Sequence, residues 1–145
     1  MDMQNTYDLA VIGGGPAGIV GATTAASLGA KAVLIDRDVH LGGAGANTGT
    51  VPSKTLRETA LALSGLRSRD LYGVDLSIRR EATIADLMRR EKAVKEALNR
   101  TLAQLVQASS VSFLAGEAQF LDPHTLAIRQ SKGCEVLRAN QRDRR

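Results

Sequence analysis

The sequence predicts an α/β fold built on a parallel sheet, and three observations carry that reading. Tyr7-Asp8-Leu9-Ala10-Val11-Ile12 is a mostly apolar run that ends in Gly13-Gly14-Gly15-Pro16-Ala17-Gly18. A small-residue segment follows from Ala17 to Leu28 and stops at Gly29. A second apolar run, Lys31-Ala32-Val33-Leu34-Ile35-Asp36, then ends in a carboxylate. Near-continuous apolar runs read as strands buried on both faces, as in a parallel sheet. Pro16 suits the start of a helix and Gly29 its close. The three segments occupy the 30 residues from Tyr7 to Asp36, the size of one βαβ unit. Gly and Ala weaken a helix on their own, but small side chains let it lie close against a sheet.

The remaining elements follow in order. Arg37 to Pro52 carries glycine at 42, 43, 45 and 49 with neither a helical nor a strand period, so it reads as a loop with tight backbone positions. Pro52-Ser53-Lys54 opens a helix running to about Ser64, and residues 65–80 form a connector. Ile84, Leu87, Met88, Val94, Leu98, Leu102, Leu105 and Val106 recur at helical spacing, with charges on the other face. They predict a long amphipathic helix from about Ala82 to Gln107, roughly 39 Å at 1.5 Å per residue. Val111–Ala115, Glu117–Leu121 and Thr125–Arg129 read as short strands, punctuated by Gly116 and Asp122-Pro123, and a small β-meander is expected in this part of the chain. The folded domain is expected over residues 1–130, with 131–145 a basic terminal tail, disordered or the product of a truncation.

Composition narrows the class of function. Lys and Arg number 19 against 15 Asp and Glu, a net charge of +4. Residues 131–145 hold five basic and two acidic side chains, so they carry +3 of it. A solvated terminus and a nucleic-acid arm both fit such a tail. The solvated reading is favoured, because the body offers no basic stripe to continue it. Aromatics are 3% and Trp is absent, which argues against a stacking platform for single-stranded nucleic acid. No apolar run reaches the roughly 18 residues of a membrane span, and the first residues lack the features of a secretory signal. The single cysteine, Cys134, fits a reducing compartment, and a cytoplasmic location is expected.

Gly13-Gly14-Gly15-Pro16-Ala17-Gly18 satisfies G-x-G-x-x-G. The pattern alone is weak. Here it follows a strand and opens a helix, and Asp36 ends the next strand eighteen residues after Gly18. That is the context a dinucleotide-binding loop requires. Gly13 permits the tight turn, Gly15 leaves room for a pyrophosphate at the backbone, and Gly18 permits close helix–strand packing. The helix start offers unpaired N–H groups and partial positive charge to the phosphates. Asp36 can accept hydrogen bonds from both ribose hydroxyls and would repel a 2′-phosphate, so NADP is not expected in this particular site. The loop by itself does not separate FAD from NAD.

The segment Arg37 to Lys54 closely resembles the flavin-proximal segment of the pyridine nucleotide–disulfide oxidoreductases, a family that includes dihydrolipoamide dehydrogenase, glutathione reductase, mercuric reductase and soluble NAD(P)+ transhydrogenase. The resemblance runs through the glycine loop, Gly42-Gly43, Pro52-Ser53-Lys54, Gly116-Glu117-Ala118 and Phe120 to Ala127. It implies a Rossmann-like FAD-binding domain, here its N-terminal portion and incomplete at the C-terminus. It implies that FAD is the dinucleotide at the first βαβ unit, with Asp36 and the adjacent Arg37 on the adenosine side. Gly42, Gly43 and Ala44 would line the pyrophosphate and ribityl region, Lys54 would stand near the flavin N5 edge, and the backbone at Ala118 would face the adenine. A fixed cation suits a flavin whose reduction adds negative charge. It is mildly misplaced in the first turns of a helix, where the dipole disfavours it.

The pattern breaks in two places. Disulfide members of the family carry two cysteines with four residues between them, and Gly45 and Thr50 stand there instead. Neither side chain forms a thiolate, so dithiol chemistry is not expected. Thr50-Val51-Pro52-Ser53-Lys54 is similar to the soluble transhydrogenases, which lack the second cysteine, although those typically keep the first. Cys134 reads as a lone structural or surface thiol, and His40 and His124 as surface residues. The second break is length. The family continues with a return strand, an NAD(P) domain with its own glycine loop and an interface domain, and no second G-x-G-x-x-G follows Gly18. Asn140-Gln141-Arg142-Asp143-Arg144-Arg145 stands where a final apolar strand is expected, and reads as a truncation, a domain excerpt or a shifted frame.

The leading reading is the FAD-binding portion of a flavin-dependent oxidoreductase that moves hydride between nicotinamide nucleotides without a redox disulfide. Nicotinamide nucleotides would be partners only through a domain outside these residues, and the family's homodimer surface lies mostly outside them too. A catalytically inactive FAD- or nucleotide-binding fragment and a flavin-free NAD module are the alternatives. No membrane or nucleic-acid partner is expected.

Overall fold

The computed structural model describes residues 6–68, 83–131 and 133–139. The elements are β1 (Thr6–Tyr7), β2 (Leu9–Ile12), α1 (Pro16–Ser27), β3 (Ala32–Asp36), α2 (Gly43–Asn47), α3 (Thr50–Ser68), α4 (Ile84–Ala108), β4 (Ser112–Ala115), β5 (Glu117–Asp122), β6 (Thr125–Gln130) and β7 (Gly133–Ala139). They build two sheets. One is wholly parallel in the order β2-β3-β4, and the other is mixed in the order β1-β7-β6-β5. The expected βαβ unit, long helix and meander are all present.

The predicted first strand divides between the two sheets. Thr6 and Tyr7 pair with Arg138 and Ala139 of β7, whereas Leu9 to Ile12 pair with Ala32 to Ile35 of β3. Asp8 makes the crossing. Its N–H donates to the carbonyl of Lys31 at 2.9 Å, and its Oδ2 accepts the Lys31 N–H at 2.9 Å. The side chain thereby replaces ladder hydrogen bonds where the chain changes sheets. The expectation of burial on both faces holds for β3, in which Ala32, Val33, Leu34 and Ile35 are at most 1% exposed. It fails for β2, where Leu9 and Ile12 are 36% and 48% exposed. The sheet order explains the difference, since among the described residues β2 has a neighbour on one side only.

Each face of β3 holds one core. Ile19, Ala22, Leu34, Leu41, Val106 and Val111 join α1, α4 and one face of the parallel sheet. Val33, Ile35, Leu126, Ile128 and Leu137 join its other face to the meander. Burying such side chains stabilises by about 1.5–3 kcal/mol each. Helix α1 ends as its glycine predicts. Gly29 is left-handed at φ +87°, and the N–H groups of Gly29 and Ala30 return to the carbonyls of Ala26 and Ala25 at 2.9 and 3.1 Å. These paired bonds satisfy carbonyls that the helix leaves open.

Three boundaries differ from the sequence reading. The loop over 37–52 contains α2, and α3 already begins at Thr50, with Pro52 in its first turn where a missing N–H costs nothing. A five-residue helix of Gly, Ala and Asn has no amphipathic period to detect. Helix α3 runs on to Ser68, so the connector loses its first four residues, and 69–80 lie outside the described residues. Helix α4 starts at Ile84, set by a reciprocal cap in which Asp86 N–H donates to Thr83 Oγ1 at 3.4 Å and Thr83 N–H donates to Asp86 Oδ2 at 3.0 Å. Ala82, its expected start, lies outside the described residues.

The terminal tail needs a correction. Gly133–Ala139 is strand β7, antiparallel to β6 with Leu126 opposite Leu137 and Ile128 opposite Glu135. Leu137 is 1% exposed. The charge count hid an alternating strand, because Arg138 sits on the outward side beside a buried Leu137. Lys132 and 140–145 lie outside the described residues. No helix among the described residues is long and apolar enough to cross a membrane.

Candidate dinucleotide site

The site assembles at the end of the parallel strands. Strand β2 delivers Gly13 at φ +107°, a left-handed turn that favours glycine. Its N–H donates to the Ile35 carbonyl at 2.7 Å, which ties the turn to the end of β3. A Cβ at Gly18 would lie 1.9 Å from the Gly13 carbonyl oxygen and 3.3 Å from Val11 Cγ1, so the helix sits against the strand at a distance only glycine permits. Gly14 is closed in as well, since a Cβ there would lie 2.9 Å from Leu41 Cδ2 and 3.1 Å from Asp36 Oδ2.

Gly15 differs. Among the described residues nothing lies within 4 Å of a Cβ built there, and its backbone, φ −73° and ψ 176°, is one any residue adopts. Neither turn geometry nor protein packing explains glycine at this position. Gly15 is also the residue before α1, and no side chain caps that helix start. The first turn holds no acidic residue. Pro16 has no N–H, and the N–H groups of Ala17 and Gly18 have no acceptor among the described residues, so the helix presents open donors toward that empty space. A phosphate group fits there by charge, by donors and by room.

The second glycine segment lies on the first. Gly42 N–H donates to the Gly14 carbonyl at 2.7 Å, and a Cβ at Gly43 would lie 3.2 Å from Gly15 Cα. Gly42 and Gly43 are both left-handed, at φ +98° and +56°. The structure thus brings Gly13–Gly18 and Gly42–Ala44 into one layer. An apolar cavity of about 390 Å³ borders it, lined by Pro16, Val20, Gly42, Gly45, Thr50 and Leu102 among others.

Asp36 stands at the end of β3. Its Oδ2 accepts the Gly14 N–H at 2.5 Å and its Oδ1 accepts the Asp38 N–H at 2.9 Å. A carboxylate offers about four acceptor positions, so one remains on each oxygen for hydroxyl donors. Its carbonyl accepts the Gly116 N–H at 2.7 Å, which sets Gly116-Glu117-Ala118 beside it. A Cβ at Gly116 would lie 2.7 Å from Ile128 Cγ2, and this close approach lets the chain cross from the parallel sheet to the meander. Ala118 turns its side chain into the meander core. Arg37 is exposed and has no ion-pair partner among the described residues. Lys54 is exposed on the early turns of α3, likewise without such a partner. Gly45 lies on α2 and Thr50 opens α3. Cys134 is exposed on β7, opposite Arg129 of β6 in the mixed sheet. His40 and His124 are exposed in turns, and the His40 N–H is held by Asp38 Oδ1 at 2.9 Å.

Sequence reasoning missed Asn47. Its Nδ2 donates to the carbonyls of His40, Leu41 and Gly43 at 3.2, 3.1 and 3.1 Å, so one side chain gathers the segment around the Gly42 turn. The available signal was an Asn among Gly and Ala in a stretch without period, since Asn side chains bond nearby backbone.

Comparisons with known proteins agree with this fold. The FAD dependent oxidoreductase family matches residues 8–136. The soluble pyridine nucleotide transhydrogenase of Mycobacterium tuberculosis is 38% identical over 122 residues, covering 84% of this chain and 26% of that protein. The dihydrolipoyl dehydrogenase of Bacillus subtilis is 33% identical over 134 residues, covering 92% of this chain and 29% of that protein. The solved structure of the HOCl-induced flavoprotein disulfide reductase RclA from Escherichia coli, a Cu(II) complex, superposes with a TM-score of 0.77 at 22% identity, over 94% of this chain and 27% of that one. The last shows likeness of fold. The chain spans about a quarter of the length of the curated relatives it matches. With a glycine turn of open donors at the head of a βαβ unit and a match that runs through nearly all of its residues, the chain belongs to the FAD dependent oxidoreductase family, whose cofactor is FAD.

Proposed function

We propose that this chain is the FAD-binding part of an oxidoreductase that passes hydride between nicotinamide nucleotides through FAD, with no redox disulfide. The observation that carries the FAD part is Gly15, a glycine that neither its backbone angles nor its surroundings require, at an uncapped helix start. The open donors at Ala17 and Gly18, with Gly13, Gly14, Gly15 and Pro16 forming the turn, hold the diphosphate. Asp36 takes the adenosine ribose with its remaining acceptor positions, Arg37 lies beside it, and the backbone near Ala118 borders the adenine. Gly42, Gly43 and Ala44 line the path toward the flavin, with the apolar cavity beside them.

FAD, when bound, supplies a ring that accepts and returns hydride. Lys54 supplies a positive charge, not spent on any ion pair among the described residues, where reduction adds negative charge. Gly45 and Thr50 in place of a cysteine pair favour nucleotide-to-nucleotide transfer over dithiol exchange. The name of the Mycobacterium tuberculosis relative supports the same reaction class. The lone Cys134 accords with a reducing, cytoplasmic setting.

A second reading, that these residues hold FAD without turnover, is favoured by one observation: they contain a single G-x-G-x-x-G. Absorbance separates the two. The purified chain takes up FAD and turns yellow under both. When these residues are tested together with a nicotinamide-binding domain, bleaching by NADH or NADPH, with colour restored by the oxidised partner nucleotide, supports hydride transfer. Colour that neither nucleotide bleaches in that protein supports FAD binding without turnover, and a chain that takes up no FAD contradicts both.

A further inference from the structure

Asn99 lies midway along α4, within the apolar stripe between Leu98 and Leu102. It is a costly residue there. Asn is a weaker helix former than Leu or Ala. Its Oδ1 is buried and has no hydrogen-bond partner, an unfavourable state for an acceptor. What it gains is contact with the glycine segment. Asn99 Nδ2 donates to Asn47 Oδ1 at 2.8 Å and to the Lys95 carbonyl at 3.0 Å. The orientation of both amides follows from the network. Asn47 must turn its NH2 toward three carbonyls, so its oxygen faces Asn99, and Asn99 must present nitrogen. One turn further, Leu102 Cδ1 lies 2.8 Å from where a Cβ of Gly42 would be.

Gly42 and Gly43 are two consecutive left-handed glycines, the most freely mobile kind of backbone. Their position matters, because Gly42 bonds Gly14 and Gly43 abuts Gly15. We infer that Asn99 is a positioning residue for the FAD site: acting through Asn47, it holds the Gly42–Gly43 turn in the shape that lies against the phosphate loop. The inference rests on FAD occupying that loop. Asn99 does not touch the cofactor, and its effect reaches the site only through the Asn47 amide.

A double-mutant cycle tests the inference, with FAD as the probe and two readouts. The variants are Asn99→Leu, Asn47→Ala and the pair together. FAD affinity is read by quenching of flavin fluorescence, and amide hydrogen exchange is read in the chain without FAD. Asn99→Leu restores a good helix former and removes the orphan oxygen, so the thermal midpoint stays within a few degrees of the starting chain. FAD binding weakens about tenfold, the equivalent of one hydrogen bond. Exchange at the Gly42 N–H accelerates at least as much, while the Gly13 N–H, bonded to Ile35, keeps its rate. In the Asn47→Ala background, Asn99→Leu changes neither readout by more than about twofold.

Equal losses in both backgrounds would show that Asn99 acts independently of Asn47 and would overturn the inference. So would unchanged Gly42 exchange in the Asn99→Leu chain. If the starting chain takes up no FAD, the cofactor reading fails by itself. Gly42 exchange then still decides whether Asn99 holds the turn.

Discussion

The two glycine segments meet face to face, yet they are shaped by different means. Residues 13–18 are held mainly by what is near in sequence or in the same βαβ unit. Gly13 turns the end of β2, Gly18 abuts the Gly13 carbonyl, and Gly14 bonds Asp36 at the end of β3. Residues 42–47 have little of their own to hold them. Their shape comes from the Gly14 carbonyl, from the Asn47 amide, and from Asn99 and Leu102 on a helix more than fifty residues away in sequence. The first segment is therefore readable as a motif, and the second only as composition. The proposed cofactor site needs both, because open space at Gly15 serves a diphosphate only while Gly43 stays where it is.

Substitutions break the comparison at different strengths. The largest effect is expected for Gly18→Ala, whose Cβ would meet a backbone oxygen at 1.9 Å with no flexible atom to yield. Urea denaturation shows a loss of about 3 kcal/mol, the upper end for overpacking, with FAD uptake lost as well. Gly42→Ala comes next. It combines a left-handed φ of +98° with Ala46 Cβ at 2.4 Å and costs about 2 kcal/mol by the same measurement. Adding Leu102→Ala restores little, because Ala46 and the backbone angle remain. Full rescue would show that the α4 contact alone shapes the turn.

Asp36→Ala touches both segments, since its carboxylate holds the Gly14 N–H behind the Gly42 turn. It costs about 1.5 kcal/mol for two backbone hydrogen bonds and weakens FAD binding about tenfold by calorimetry. Unchanged cofactor retention counts against its role at the ribose.

The smallest effect lies outside both segments. The His124 N–H, donated at 2.7 Å, and the Thr125 side chain hold the Asp122 carboxyl below its ordinary value of 3.8. Because the folded value is the lower one, the stabilisation is present above that pH and lost as pH falls through the folded value. The thermal midpoints of the starting chain and Asp122→Asn therefore converge below pH 3.8. FAD affinity at neutral pH is the same in both.

Legibility followed the range of the interactions. The βαβ unit, the long helix, β4 and the first two meander strands announce themselves through apolar period and glycine punctuation, and the structure keeps each within a few residues. Helix α2 was invisible, because its one long polar side chain acts on backbone carbonyls rather than on a hydrophobic face. Strand β7 was hidden by counting charges over a window instead of following the alternation of Val136, Leu137 and Arg138. The division of the first strand at Asp8 depends on a bond to Lys31 across the sheet. Within the site, the roles of Gly13 and Gly18 were readable and have geometric counterparts. Asn47 and Asn99 were not, since their meaning lies in a contact across 52 positions.

Gly15→Ala tests the central claim most directly. The added methyl meets nothing within 4 Å and the backbone suits any residue, so the thermal midpoint of the variant matches that of the starting chain. The methyl occupies the space assigned to the diphosphate, so calorimetric titration shows FAD binding by the starting chain and at least a tenfold loss in the variant. Equal FAD affinity in two equally stable chains would contradict the account.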